Sequence, residues 1–306
     1  MSESRLTWAK NWCREKAAAS SVVVREVQEG LGRLIFVAGP LVNARPFLGP
    51  VYAWVAACPL GCCIRPPDMV KLVLRWFAFM LERHPWKGCR VGHQLSGELF
   101  RVDAKAEGED NIVIGGWGTG AWAATWDAPW FSHVLTRAEA PWAFIKGPPQ
   151  RVIASLELLA VLYGVILLVP GRGTEMLATG SVEISASTDN QGNSGLVRKW
   201  LTTKMPLALV AMELSAQLGA RNLDLDLKWR RRNLNKEADA LTNEEFGGFR
   251  PEHRVEASGV SPAFLCLPQM ALAWEAIQSE AAPVSAVGAA PSRKRRRTPL
   301  REREPW

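Results

Sequence analysis

Several familiar signals are missing from these 306 residues, and each absence removes a class of protein. No secretory signal opens the chain, since Ser2 to Lys16 alternates charged and apolar residues and reads as an ordinary amphipathic helix. No membrane span is expected either. The unbroken apolar run Leu158–Val169 has only twelve residues, with Arg151 and Glu157 before it and Pro170 after, whereas a span needs roughly 20. That run reads as a buried core helix. The six cysteines (Cys13, Cys58, Cys62, Cys63, Cys89 and Cys266) form no zinc pattern. The cluster at 58–63 lacks a matching second pair, and His84 and His93 bracket Cys89 at a spacing that fits no common module. They read as idle thiols of a reducing, intracellular compartment. There is no internal repeat.

What is present is a long, moderately basic chain. Hydrophobic residues make up 48% and charged residues 22%, with a formal net charge of +7 and a pI near 9.3. A core can form over most of the length. The excess of positive charge suits an acidic partner, nucleic acid being the commonest, or serves only to keep the surface soluble. Part of it lies in the run Arg293-Lys294-Arg295-Arg296-Arg297, inside a terminal segment rich in Ala, Pro, Ser and Arg that reads as disordered. Such a run fits a nuclear-localisation signal or a non-specific nucleic-acid patch.

Four regions follow from the patterning. Residues 1–57 read as helical, with Val27, Leu31, Leu34, Ile35 and Ala38 at helical spacing before Pro40, Pro46 and Pro50 punctuate the chain. Residues 58–99 form a linker and a helix over about 68–83, with Asp68 as a candidate N-cap. Residues 100–246 alternate strand and helix patterns. Residues 247–306 are an extension with a short helix near 268–279 and the basic tail. Within the third region, strands are expected at 99–103, 112–117, 130–134, 181–187 and 223–229, and helices at 149–164, 192–203, 206–218 and 235–242. The pair Gly115-Gly116 suggests a bulge or a close backbone approach. Three strands in a meander, then strands alternating with helices, give a mixed α/β sheet flanked by helices.

Four acids occupy special places in that order: Asp103 at the end of the first strand, Glu157 among apolar neighbours in mid-helix, Asp189 just past a core-type strand, and Asp239 in a short helix. A carboxylate in apolar surroundings is costly unless it is paired or binds a metal. Acids that converge repel one another, and divalent cations relieve that repulsion. Mg²⁺ favours such hard oxygen ligands, and a two-ion site can activate water and stabilise the leaving oxygen of a phosphodiester. By spacing alone, thirty acids also offer such sets as merely exposed, solvating groups.

The motifs themselves carry a resemblance. Phe100-Arg101-Val102-Asp103-Ala104-Lys105-Ala106-Glu107-Gly108, followed by Gly115-Gly116-Trp117, resembles the opening hairpin of retroelement ribonuclease H domains. Arg151 to Ala160 is similar to the family's first helix with its catalytic Glu, here Glu157. Ser187-Thr188-Asp189-Asn190 resembles the strand-end TDN motif, and Asn235-Lys236-Glu237-Ala238-Asp239-Ala240-Leu241-Thr242 the closing N-x-x-A-D-x-L-S/T signature. Upstream, Val27 to Ala38 and Arg45 to Tyr52 resemble the thumb or connection segment of DIRS-like retroelement polyproteins, in which reverse transcriptase precedes ribonuclease H.

The resemblance implies a ribonuclease H-like fold over 100–246 behind a thumb- or connection-like remnant. It also implies hydrolysis of the RNA strand of RNA–DNA hybrids with two Mg²⁺ ions, or Mn²⁺ in their place. Asp103 and Asp189 would bind the ions, Glu157 would hold the one near the leaving group, and Asp239 the one that activates water. The implied partners are the hybrid and a reverse transcriptase palm domain, with no membrane and no small-molecule cofactor. Two departures stand out. The chain has no Asp-Asp pair, so the polymerase Y-x-D-D site is absent, as in the C-terminal piece of a polyprotein or a decayed copy. The stretch Lys228 to Asn235 lacks the loop His of cellular ribonucleases H.

Other residues fit the same picture. Arg230, Arg231 and Arg232 could hold phosphates or form a solvated basic turn. Asn190 and Gln191 could contact the 2′-OH that marks RNA, or cap the following helix. Trp117, Trp122, Trp126, Trp130 and Trp142 read as packing residues, with base stacking as the other use. A catalytically silent fragment that only binds nucleic acid is the competing reading. An integrase or exonuclease of the same superfold is a third, and the terminal Asp of the Asn-x-x-Ala-Asp motif disfavours an integrase, whose last carboxylate is usually Glu.

Overall fold

A computed structural model describes residues 2–39, 41–83, 97–120, 125–169 and 182–281. The basic run at 293–297, Cys89, His84, His93 and Trp122 lie outside them.

The first helices make a layer of their own. Helix α1 (Glu3–Ala18) buries Ala9, Cys13 and Ala17, while α2 (Val24–Val37) buries Val27, Leu31 and Leu34 as its apolar spacing requires. A 3₁₀ turn (Val42–Leu48) leads into α3 (Gly49–Ala57), and α4 (Asp68–Arg83) follows. Two-residue strands β1 (Val22–Val23) and β2 (Cys63–Ile64) pair antiparallel, so the segment expected as a linker is tied back into the helical layer. Asp68 is the first residue of α4 rather than its cap. The Pro67 carbonyl already accepts from the amides of Val70 and Lys71, which moves the cap back by one residue.

The centre is a five-stranded sheet. Strands β3 (Glu98–Glu107), β4 (Asn111–Gly118) and β5 (Trp130–Val134) form the antiparallel meander, and β6 (Val182–Thr188) and β7 (Leu223–Trp229) join in parallel, in the order β5-β4-β3-β6-β7. Helix α5 (Ile153–Leu167) crosses from β5 to β6, and α6 (Gln191–Lys199) and α7 (Leu207–Ala220) connect β6 to β7. The expected α/β class and its mixed sheet are therefore present. By length and composition the stretch Pro149–Leu167 could cross a membrane. Here Leu158 to Val165 are all buried, and the Phe100 ring lies where a Cβ on Gly164 would stand, so α5 is a core helix pressed on β3.

Strand alternation turns Phe100 and Val102 toward α5 and sends Asp103 to the opposite face, where α8 (Lys236–Thr242) packs. The two glycines of β4 permit both approaches. A Cβ on Gly115 would meet Leu241 of α8 at 2.8 Å, and one on Gly116 would press on Phe131 and Val102. A small aromatic cluster, Trp117, Trp130 and Phe249, fills the α8 side with Ala238 and Leu241.

Helix α9 (Leu267–Ala281) is held by a feature without a sequence signature. Glu213 of α7 is fully buried, and its carboxylate accepts from the amides of Leu265, Cys266 and Leu267 at 2.7–2.9 Å and from the Gln217 side chain at 2.8 Å. It satisfies amides that would otherwise be orphaned at the start of the helix.

Candidate active site

Four separate elements bring the four singled-out acids to one cleft of about 320 Å³, which Asp103, Glu157, Asp189 and Asp239 all line. Asp103 sits in the middle of β3 opposite Gly115, not at a strand end as expected. The strand continues because Ala104 to Glu107 pair with Ile114 to Asn111 before Gly108 (φ 62°) turns the chain. Glu157 comes from the second turn of α5, Asp189 directly follows β6, and Asp239 lies mid-way along α8.

Their environment shows how strongly they interact. Asp103 is 6% exposed. Burial first, and then the charge of Asp189, push its carboxyl up to about 7, against hydrogen bonds from the Ala104 amide and the Thr242 hydroxyl. Glu157 is pushed up to about 8 by burial and by the Asp189 charge, despite a hydrogen bond from Asn190. Asp189 is also raised, by burial and by Asp239, with the Arg232 charge opposing. Each carboxylate thus feels the others' field. One buried oxygen, Glu157 Oε2, has no hydrogen-bond partner at all. An orphaned carboxylate oxygen facing further acids suits a hard divalent cation.

Arg232 supplies the positive charge instead. Its guanidinium donates to Asp239 Oδ1 at 2.8 Å while the side chain stays 78% exposed. Among the described residues no group of three or more His, Cys, Asp or Glu side chains forms a ready metal cage.

The polar and aromatic residues singled out beside the acids separate into distinct roles. Asn190 caps α6, its side-chain oxygen accepting from the Asn193 amide at 3.0 Å, while Gln191 is exposed in the first turn. Arg230 is engaged: it bonds Glu98 Oε1 at 2.9 Å, and Arg101 holds the other oxygen of Glu98 at 2.8 Å. Burial pushes Glu98 up, but the bonds from Arg101, Ser187 and Arg230 outweigh it and leave the carboxyl below its ordinary value. Arg231 is exposed. Of the three arginines, only Arg232 lines the cleft. Trp117, Trp130 and Trp142 are buried and Trp126 is exposed beside Arg250.

Several residues at the site had no individual sequence signal. Thr242 donates to the Asp239 carbonyl at 2.9 Å and lies 3.3 Å from Asp103 Oδ2. Asn243 donates to Asp239 Oδ2 at 3.2 Å and accepts from Lys105 at 2.8 Å. The Trp229 indole N–H donates to the Asp189 carbonyl at 3.0 Å, pinning the end of β6 to β7. Asn235, buried, donates to the Val102 carbonyl at 3.1 Å and locks α8 onto β3 beside Asp103. For Asn235 and Thr242 a hint lay in the fixed positions of the Asn235–Thr242 motif, and Trp229 and Asn243 had none.

Comparison with solved structures places ribonucleases H among the fold's neighbours. The chain is similar to ribonuclease H1 from the halophilic archaeon Halobacterium salinarum NRC-1, at 16% identity and a TM-score of 0.31 over 49% of this chain and 98% of that one. It is also similar to LC11-RNase H1, isolated from compost by a metagenomic approach, at 17% identity and a TM-score of 0.34 over 48% of this chain and 92% of that one. No protein-family model and no curated protein matches the chain.

Proposed function

We propose that this protein is a metal-dependent endonuclease that hydrolyses the RNA strand of RNA–DNA hybrids, and that it derives from a DIRS-like retroelement polyprotein. The observation that carries the activity is the convergence of four carboxylates in one cleft, with Glu157 Oε2 buried and unpartnered. Asp103, Glu157, Asp189 and Asp239 would hold Mg²⁺ or Mn²⁺, which supplies the charge that activates water and stabilises a leaving oxygen. The retroelement origin, and a reverse transcriptase palm as partner, rest on the motif resemblance alone.

The chain's own residues do the positioning. Asn235 fixes α8 against β3 and so sets Asp239 relative to Asp103. Trp229 holds the backbone at Asp189. Arg232, solvent-exposed apart from its bond to Asp239, can turn to a phosphate of the hybrid. Arg231 and Gln191 are exposed and would meet the nucleic acid as it enters, whereas Arg230 and Asn190 chiefly hold the strand and helix ends.

The test is cleavage of a labelled RNA–DNA hybrid with Mg²⁺ or Mn²⁺, wild type against Asp189→Asn. Metal-dependent cutting of the RNA strand that drops by about a thousandfold in the variant is expected. A second reading is favoured by Arg232, which already neutralises Asp239: a catalytically silent module that binds nucleic acid without cutting it. Binding of the hybrid by wild type with no cleavage under either metal would establish that reading instead.

A further inference from the structure

We infer a second nucleic-acid site: the groove between α1 and α2 binds a single strand through arginine–aromatic pairs. This site stands apart from the carboxylate cleft and does not rest on the reading of that cleft.

The groove is open and encloses about 520 Å³. Its walls exchange partners across the helix pair. Arg5 of α1 lies over the ring of Phe36 on α2, 5.3 Å from its centroid, and Arg33 of α2 lies over the ring of Trp8 on α1 at 5.4 Å. Phe36 is 67% exposed, the most of the large apolar side chains among the described residues. Neither arginine forms an ion pair with a described carboxylate, and both are exposed. A guanidinium held over a ring by cation–π attraction still has N–H groups to offer to anionic oxygens.

The glycines of α2 give an independent indication. Gly30 has a packing reason, since a Cβ there would stand 2.1 Å from the Trp12 ring. Gly32, an exposed residue that lines the groove, has none: a Cβ there would meet nothing within 4 Å. Glycine inside a helix costs stability relative to alanine. A side chain at this position would project into the groove that glycine leaves open.

Charge and shape select the occupant. The groove is positive, so it disfavours the chain's own basic segment at 293–297 and a second copy of a chain with net charge +7. An acidic peptide would satisfy the arginines and leave the flat surfaces idle. A single strand offers both complements at once, with bases that stack on Phe36 and the guanidinium planes and phosphates that reach the N–H edges.

The test is fluorescence anisotropy of labelled oligo(dT) 12-mer with the full chain in EDTA. Wild type is compared with Gly32→Glu and Phe36→Ser, with circular dichroism melts to confirm folding. Gly32→Glu points into open space and should not lower the melting temperature. We expect it to weaken binding at least tenfold and Phe36→Ser several-fold. Equal affinity of wild type and both groove variants would overturn the proposal. So would a poly-glutamate peptide that displaces the oligonucleotide at equal or lower concentration, which would assign the groove to an acidic protein. Failure here leaves the cleavage assay unaffected, and the reverse holds as well.

Discussion

Arg232 shows how one side chain can decide the state of an acidic cleft. It bonds Asp239, and its charge also reaches Asp103 and Asp189, which together hold the guanidinium above its ordinary pKa. A cation entering the cleft has to compete with it. Replacing Arg232 by Met should therefore tighten Mn²⁺ binding, measured by calorimetry, by roughly two- to fivefold, the modest value expected of an exposed charge. The same variant should weaken hybrid binding and reduce its salt slope by about one. Weaker Mn²⁺ binding in Arg232→Met would show that the guanidinium positions Asp239 for the ion and does not compete with it. The sequence drew attention to three consecutive arginines but could not rank them. Arg230 is turned toward Glu98 by the register of β6 and β7, a pairing between segments far apart in the chain. Asp103 was legible as a candidate, but its place in mid-strand was not, because the partner that prolongs β3 lies downstream in β4.

Among the elements, legibility followed burial. Strand β7 buries one face, so its strict alternation marks Leu223–Trp229 from the sequence alone. Helix α5 is buried on nearly all sides, so its apolar run has no periodicity, and only its length and flanking charges separate it from a span. The hold on α9 was not legible, since a lone Glu in an apolar helix carries no mark of the three amides it will meet about fifty residues later. Glu213→Ala would strand those donors in the interior, and urea denaturation should show a loss of about 3 kcal/mol. Glu213→Gln, which retains an acceptor oxygen, should lose less. A loss below about 1 kcal/mol in the alanine variant would mean that water replaces the carboxylate and that α9 does not depend on it.

For the whole molecule, the cleft gives stability an unusual pH dependence. Asp103 near 7 and Glu157 near 8 keep protons that the unfolded chain has already shed, its carboxyls titrating at about 4. Folding stability therefore falls as pH rises from about 4 toward 8 and levels off above that. Glu98 acts in the opposite sense, as does Glu139, whose burial is outweighed by bonds from Thr136 and His133; both lie below the ordinary 4.5, and their contribution is lost only as pH drops below that value. Stability should peak at about pH 4. In EDTA the melting temperature should drop by roughly 5 °C between pH 5 and pH 8, and Mg²⁺ or Mn²⁺ should restore it at pH 8. A melting temperature that stays level across this range, or that metal leaves unmoved, would mean that the acids do not share a field as described.

The parallel pairing of β3 with β6 also shapes how the chain is made. During synthesis β3, β4 and β5 emerge first and can zip into their meander, but the far edge of β3 has to wait for β6. In that interval the ribosome carries an open strand edge together with α5, a helix of core residues with no sheet yet complete beneath it. Slow synthesis after α5 has left the ribosome and before β6 has done so would lengthen this exposure, so the yield of soluble protein should depend on the pace of that interval and on which chaperones meet the nascent chain then.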